Sequence, residues 1–361
     1  MRKILISCSS LHIGDFIWAT SAIAALKQTY PEYYIAVLAP KALKELIKNN
    51  PVIDEAVFSL YPKAGLFYKI KNLLWTARNI PKIYFKKFDD CIILSHSKLT
   101  VMLAKICRIP NLAGADMFWT GNNIADPLAK FYTHAVHVQK NQDNVHMSVR
   151  FQTIVKSYFN FYNNALPVVP NIKKYDYAQN FIKNKDKINI AFCIAGSKDS
   201  SNVWSLENFA TVIKELSKTF NADFYITGSN KDSKLAQQLI SGQYPIPPTV
   251  VYNLCGKTSL LELTNFLSRV NLLITVDTGI AHLAATQNAN ILALYGPTPP
   301  QKSMPMSHNA RTIYIKTECS PCMYRKLIEN NPCPKKEAEC MLKITPQTVI
   351  EQASEILKAL K

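Results

Sequence analysis

Strand and helix patterns alternate along this chain, stop at a proline-bearing stretch, and then alternate again. Lys3 to Cys8 is a short apolar run, and after a loop Phe16 to Lys27 carries apolar positions at helical spacing. Tyr34 to Leu38, Glu55 to Ser59 and Asp90 to Ser95 read as further strands, with helices at Ala42 to Lys48 and Leu99 to Arg108. The stretch Asn163 to Tyr175 holds two prolines and little periodicity, which makes it a linker. Behind it come strands at Asn189 to Ile194, Asp223 to Thr227, Asn271 to Thr275 and Ile291 to Tyr295. Helices at Leu206 to Thr219, Lys231 to Ile240, Leu260 to Arg269 and Ala281 to Thr286 separate them, and a last helix runs from Thr348 to Leu360. Short connections between alternating elements demand parallel sheets covered on both faces. The expectation is an α/β protein with two Rossmann-like domains facing across a cleft, and 361 residues is enough for two domains.

The amino terminus is basic, but Cys8, Ser9, Ser10, His12 and Asp15 interrupt its apolar run too early for a signal peptide core. Elsewhere no stretch reaches about 18 uncharged apolar residues, so a cytosolic location is expected. The formal charge of +17 speaks to partners. From Ala56 to Phe88 there is no acidic residue, while Lys63, Lys69, Lys71, Arg78, Lys82, Lys86 and Lys87 alternate with large aromatics. That pattern suits a surface that meets acidic head groups, or equally a solvated basic face whose aromatics are core. No zinc-finger, RNP or helix-turn-helix signature supports nucleic acid as a partner.

In open parallel sheets, ligands bind beyond the carboxyl ends of the strands. Three such places carry suggestive residues. At Val276 to His282 an apolar strand runs into Asp277, Thr278 and Gly279 before a helix begins. An acid, a hydroxyl and a glycine there can hold sugar hydroxyls while free N–H groups take a diphosphate. The alternative is a capped helix, with Asp277 or Thr278 as N-cap. One strand later, Tyr295, Gly296, Pro297 and Thr298 offer a second phosphate-facing turn, and His282 either faces the ligand or is structural. The loop after the first strand ends in Gly14 and Asp15, where glycine permits close approach and the carboxylate is either a general base or a helix cap. Its spacing is not that of the three-glycine dinucleotide fingerprint, which removes the main support for NAD. The third place is the small polar loop Ala195 to Ser205.

Taken in order, Gly14-Asp15 before the first helix, Gly196-Ser197 with Trp204 behind it, LCGKTSLLEL, VDTGIAHLAA and LYGPT resemble the ADP-heptose:lipopolysaccharide heptosyltransferase family, glycosyltransferase family 9. The resemblance covers nearly the whole chain, and VDTGIAHLAA with LYGPT is its specific part. It implies the GT-B fold, with residues 1–170 binding the acceptor, 171–345 binding the nucleotide sugar, and 346–361 forming a helix that packs back towards the first domain. It implies an inverting transferase that moves a heptose, or a related sugar, from an ADP-linked donor to the lipopolysaccharide inner core. The ADP-sugar is a co-substrate, and no cofactor or divalent cation is required. The setting it implies is the cytoplasmic, inner face of the bacterial inner membrane, where the protein is peripheral. Asp15 matches the catalytic base, Asp277 the acid that contacts the donor sugar, and Thr278 and Gly279 the diphosphate binders. Ser197, Lys198, Asn202, Glu262 and His282 join the donor side; Gly14, Lys63, Lys69 and Lys71 join the acceptor side, where an anionic lipopolysaccharide core precursor is expected.

The chain departs from the family pattern in two places. Asn202 stands where a lysine is usual, two residues before Trp204, and Glu262 lies one residue closer to Asp277 than in some members. Another nucleotide sugar, or a weakly active binding paralogue, is the competing expectation. Cys319, Cys322, Cys333 and Cys340 begin with a CxxC pair and can suit a tetrahedral structural zinc; reduced, partly buried thiols are the other reading. Cys8, Cys91, Cys107, Cys193 and Cys255 sit in apolar contexts and read as core.

Overall fold

The computed structural model describes residues 1–59, 66–118, 124–138, 145–172, 176–196, 202–244, 246, 251–322, 333 and 338–360, with backbone alone at 66–69, 72, 73 and 76. The chain divides into two compact units, Met1–Asn171 and Ile172–Lys361, and the division falls inside the proline-bearing stretch.

In the first unit β1 (Lys3–Ser7), α1 (Ile13–Thr29), β2 (Tyr34–Pro40), α2 (Lys44–Ile47), β3 (Glu55–Ser59), α3 (Leu66–Lys86), β4 (Asp90–Ile93), α4 (Lys98–Ile106), β5 (Asn111–Ala115), β6 (His134–Val136) and α5 (Met147–Phe159) follow one another. The sheet runs β3-β2-β1-β4-β5-β6, and all its pairings are parallel. Helix α1 has no polar stripe because Phe16 to Leu26 are all buried, and it packs along α5. A charged tie anchors β4: Arg2 grips buried Asp90 with two hydrogen bonds of 2.7 and 2.8 Å, and the Tyr158 hydroxyl donates to the same carboxylate at 2.6 Å.

The second unit repeats the plan with β7 (Ile188–Cys193), α6 (Leu206–Thr219), β8 (Ala222–Thr227), α7 (Ser233–Ile240), β9 (Val251–Asn253), α8 (Leu260–Leu267), β10 (Leu272–Val276), α9 (Gly279–Ala285), β11 (Ile291–Tyr295), α10 (Pro300–Ser303), β12 (Ala310–Tyr314), α11 (Glu339–Leu342) and α12 (Pro346–Lys358). Its parallel sheet is ordered β12-β11-β10-β7-β8-β9. Renumbered within each unit, both orders are 3-2-1-4-5-6, so each unit has a switch point, at β1/β4 and at β7/β10.

The final helix has its apolar stripe of Val349, Ala353, Ile356 and Leu357 in the core of the second unit. It lies against α6 and β10, covering a sheet face that an open parallel sheet cannot leave wet. Among the described residues, no helix is long and apolar enough to cross a membrane.

Candidate active site

At the switch point of the second unit, β10 ends at Val276 and α9 starts at Gly279, leaving Asp277 and Thr278 between them. Thr278 occupies the N-cap position in extended conformation, but its side chain makes no cap hydrogen bond. Its hydroxyl turns instead towards Thr275 Oγ1 at 3.2 Å and Cys193 Sγ at 3.8 Å. The capping explanation therefore fails for Thr278, and the first N–H groups of α9 have no cap from it. Asp277 is half-buried, and its Oδ2 accepts from Ser303 Oγ at 3.4 Å. Beside it the Tyr295 hydroxyl donates to the Ser303 carbonyl at 2.6 Å. Burial and the charge of Asp277 hold the Tyr295 phenol well above its usual range, so it stays a proton donor.

Asn202, only 3% exposed, donates through Nδ2 to the Asp277 carbonyl at 3.2 Å, while its Oδ1 has no partner among the described residues. An amide here ties the loop before α6 to the Asp277 turn, which a lysine would not do in the same way. Trp204, the landmark of that loop, is core: it is 2% exposed, and its Nε1 donates to the Ile344 carbonyl at 2.9 Å.

Other residues expected on the donor side have the following surroundings. Glu262 closes a capping box at the start of α8, accepting from Ser259 N at 2.8 Å while its own N–H donates to Ser259 Oγ at 3.3 Å. His282 is 3% exposed, in the first turns of α9. At the Gly296 turn a Cβ would lie 2.5 Å from Met341 Sδ and 3.0 Å from Cys340 Sγ, so packing against α11 favours a glycine there. Ser197, Lys198 and Lys63 lie outside the described residues, as does the Lys69 side chain; Lys71 is exposed on α3.

At the switch point of the first unit, buried Gly14 and half-buried Asp15 sit in the first turn of α1. Asp15 Oδ2 accepts from the His12 backbone N–H at 3.4 Å, a long contact that leaves the carboxylate largely uncommitted. Although its surface reaches solvent, the carboxyl is set deep enough for burial to raise its pKa, against a smaller lowering from His12.

The loop after β4 joins the same edge: Ser10 N–H donates to Ser95 Oγ at 3.3 Å and Ser10 Oγ to the His96 carbonyl at 3.4 Å. His96 Nδ1 lies 3.0 Å from Asp126 Oδ1, so an oriented imidazole stands beside the loop. Sequence reasoning missed this pair. Its only local signal was the polar run Ser95-His96-Ser97 between strand and helix.

The basic aromatic segment divides into two faces. Ile83 and Phe88 enter the core, with Trp75 and Ile80 packed against it, while Ile70, Leu74, Tyr84 and Phe85 are exposed on α3. Cys322 and Cys340 are buried and Cys319 and Cys333 half-buried; all four are free thiols, as are the five buried cysteines elsewhere. Burial pushes the Cys340 thiol up to about 11, with smaller contributions from Cys322, Cys319 and Cys333. Among the described residues, no group of three or more His, Cys, Asp or Glu side chains is arranged to hold a metal ion.

Residues 87–332 match glycosyltransferase family 9 (heptosyltransferase). The chain is 23% identical over 355 residues to lipopolysaccharide heptosyltransferase 2 of Escherichia coli strain K12, covering 96% of each. The solved E. coli ADP-heptose LPS heptosyltransferase II is similar in fold, with a TM-score of 0.77 at 20% identity over 99% of both chains. The E. coli heptosyltransferase WaaC with ADP aligns at a TM-score of 0.69 and 17% identity, over 98% of this chain and 99% of that one. The α/β architecture of two Rossmann-like units is thus the GT-B fold of these enzymes.

Proposed function

We propose that this chain, which belongs to glycosyltransferase family 9, transfers a heptose or closely related sugar from an ADP-linked donor to the lipopolysaccharide inner core, with inversion. The observation that carries the reading is the Asp277–Gly279 junction, with an acid held beside Tyr295 and Ser303 and helix N–H groups that Thr278 does not cap. The second unit is the donor half: Asp277 contacts the sugar hydroxyls, and the N–H groups of Thr278 and Gly279 receive the diphosphate. The first unit is the acceptor half. Asp15 takes the proton of the acceptor hydroxyl as its oxygen attacks the anomeric carbon from the face opposite ADP. The bond from that carbon to the diphosphate oxygen breaks and ADP leaves with the electron pair. Oriented N–H groups stabilise the charge on ADP as it forms.

Contact with the membrane is peripheral and falls on α3. Ile70, Leu74 and Phe85 are 50, 66 and 76% exposed, and their spacings of four and eleven are about one and three helical turns, so they form one stripe. Arg78, Lys71 and Lys82 flank it, the arrangement by which a helix lies in an anionic interface.

The test is transfer by purified protein: ADP-heptose with a Kdo-lipid A or heptosylated acceptor should give a product heavier by one heptose. Absence of transfer from any nucleotide-linked donor sinks the proposal. A second reading, in which the donor carries another sugar or nucleotide, is favoured by buried Asn202, whose Oδ1 offers an acceptor where the family pattern has a cation. A donor panel separates the two.

A further inference from the structure

Between β3 and α3 lies a cavity of about 290 Å³ whose walls include Lys41, Phe58, Trp75, Arg78, Asn79 and Lys82. Lys41 follows the carboxyl end of β2, and Trp75, Arg78, Asn79 and Lys82 share one face of α3 at spacings of three, four and seven. The charges are not internally balanced. Lys82 and Lys86 bind the two oxygens of Glu55 at 2.8 and 2.9 Å, whereas Lys41 and Arg78 have no acidic partner among the described residues. Two unmatched cations therefore meet at a cavity with one indole and one phenyl wall.

We infer that this cavity binds an organophosphate group carried by an amphiphile. The guanidinium of Arg78 supplies a planar fork that fits two phosphate oxygens, and Lys41 supplies a second positive charge. Trp75 and Phe58 offer the apolar surface against which the carbon skeleton next to the phosphate packs. The amphiphile follows from the neighbours on the helix. Exposed Leu74 lies one turn before Arg78, and exposed Phe85 nearly one turn after Lys82, so an apolar stripe runs along α3 next to the cations that line the cavity. A soluble sugar phosphate would use the cations and leave the stripe without purpose.

Two sources share this chemistry: a phosphate on the saccharide–lipid acceptor, or a phospholipid head group of the bilayer. The first source rests on the proposed transfer to lipopolysaccharide core; the cavity itself does not. The experiment is direct binding to the full chain without turnover, comparing wild type with the double variant Lys41→Gln, Arg78→Gln. The probes are bisphosphorylated and dephosphorylated Kdo-lipid A in neutral detergent, and vesicles of phosphatidylcholine with or without phosphatidylglycerol. Loss of charge-assisted phosphate contacts should weaken binding by about tenfold or more. If the source is the acceptor, the loss appears with the bisphosphorylated saccharide lipid, and wild type binds the dephosphorylated form as weakly as the variant does. If the source is the bilayer, the loss appears with phosphatidylglycerol vesicles. ADP affinity and melting temperature should be unchanged in either case, which separates a local charge effect from unfolding. Wild-type affinity of the variant for both phosphate-bearing probes overturns the inference. Binding differences without sugar transfer from any donor would keep the site and reject the transferase reading; transfer with no binding difference would do the reverse.

Discussion

A carboxyl with a raised pKa is a stronger proton acceptor once ionised, and it is ionised over a narrower range of pH. Asp15 is in that position through burial, with His12 opposing the shift. If it is the base, kcat/KM should fall on the acid side with an apparent pKa above the ordinary aspartate value, because turnover requires the unprotonated form. Asp15→Asn should abolish transfer while ADP binding, followed calorimetrically, stays near wild type; full activity of that variant would remove Asp15 from the reaction. Asp15 and Asp277 stand out in the sequence because each is an acid at the start of a helix that follows an apolar strand, Asp277 directly and Asp15 after a short loop. His96 and Asp126 were not, because they are thirty residues apart and only the fold brings them to 3.0 Å. Glu262 carries two messages in the same residues: its position matches a ligand-binding pattern, and Ser259 to Glu262 also spell a Ser-x-x-Glu capping box.

At the scale of elements, alternation and period recovered the central strands of both sheets. Strands β5, β6, β9 and β12 escaped notice. β6 and β9 have three residues each, β5 holds Gly114 among small residues, and β12 carries Arg311 and Thr312 at a sheet edge, so none presents the apolar run that marks a central strand. Helix α3 was hidden by its own composition. Its lysines and aromatics read as surface chemistry, and Pro81 interrupts the helical pattern. Two predictions belong to this scale. Gly296→Ala presses a methyl against Met341 Sδ and Cys340 Sγ, at 2.5 and 3.0 Å, so these buried side chains must shift. Overpacking of this kind costs about 1–3 kcal/mol, measurable as a lower urea midpoint at unchanged slope. The second concerns Glu55, which ties β3 to α3. Its burial would raise the carboxyl pKa, but hydrogen bonds from Lys82, Tyr34 and Lys86 outweigh that and hold it at about 2. A folded pKa below the unfolded value means that this stabilisation is present above the ordinary glutamate pKa and is lost as pH falls towards 2. Glu55→Gln should therefore be less stable than wild type at neutral pH, with the difference shrinking through that acid window. A difference independent of pH would show that the ion pairs contribute nothing.

For the whole molecule, the internal repetition matters more than the number of residues. Two sheets with the same strand order, each with its own switch point, give the chain two places where loops turn into helix starts. The charge is divided unequally between uses: the acid-free run from Ala56 to Phe88 lies in the first unit, while the Asp277 junction and its uncapped helix start lie in the second. A nucleotide diphosphate and an anionic lipid-linked saccharide carry the same sign of charge, so net charge cannot sort them; local geometry must. The helix N–H groups in the second unit suit a diphosphate, whereas spread cations and aromatics on α3 suit a large amphiphile. Hydrogen exchange tests that division on the intact chain. ADP should give its strongest protection in peptides containing Cys193 and Asp277, and a phosphorylated saccharide lipid should give its strongest protection in peptides of α3 and the start of α1. Strongest protection by ADP in the first unit would reverse the assignment of donor and acceptor halves, and with it the roles of Asp15 and Asp277.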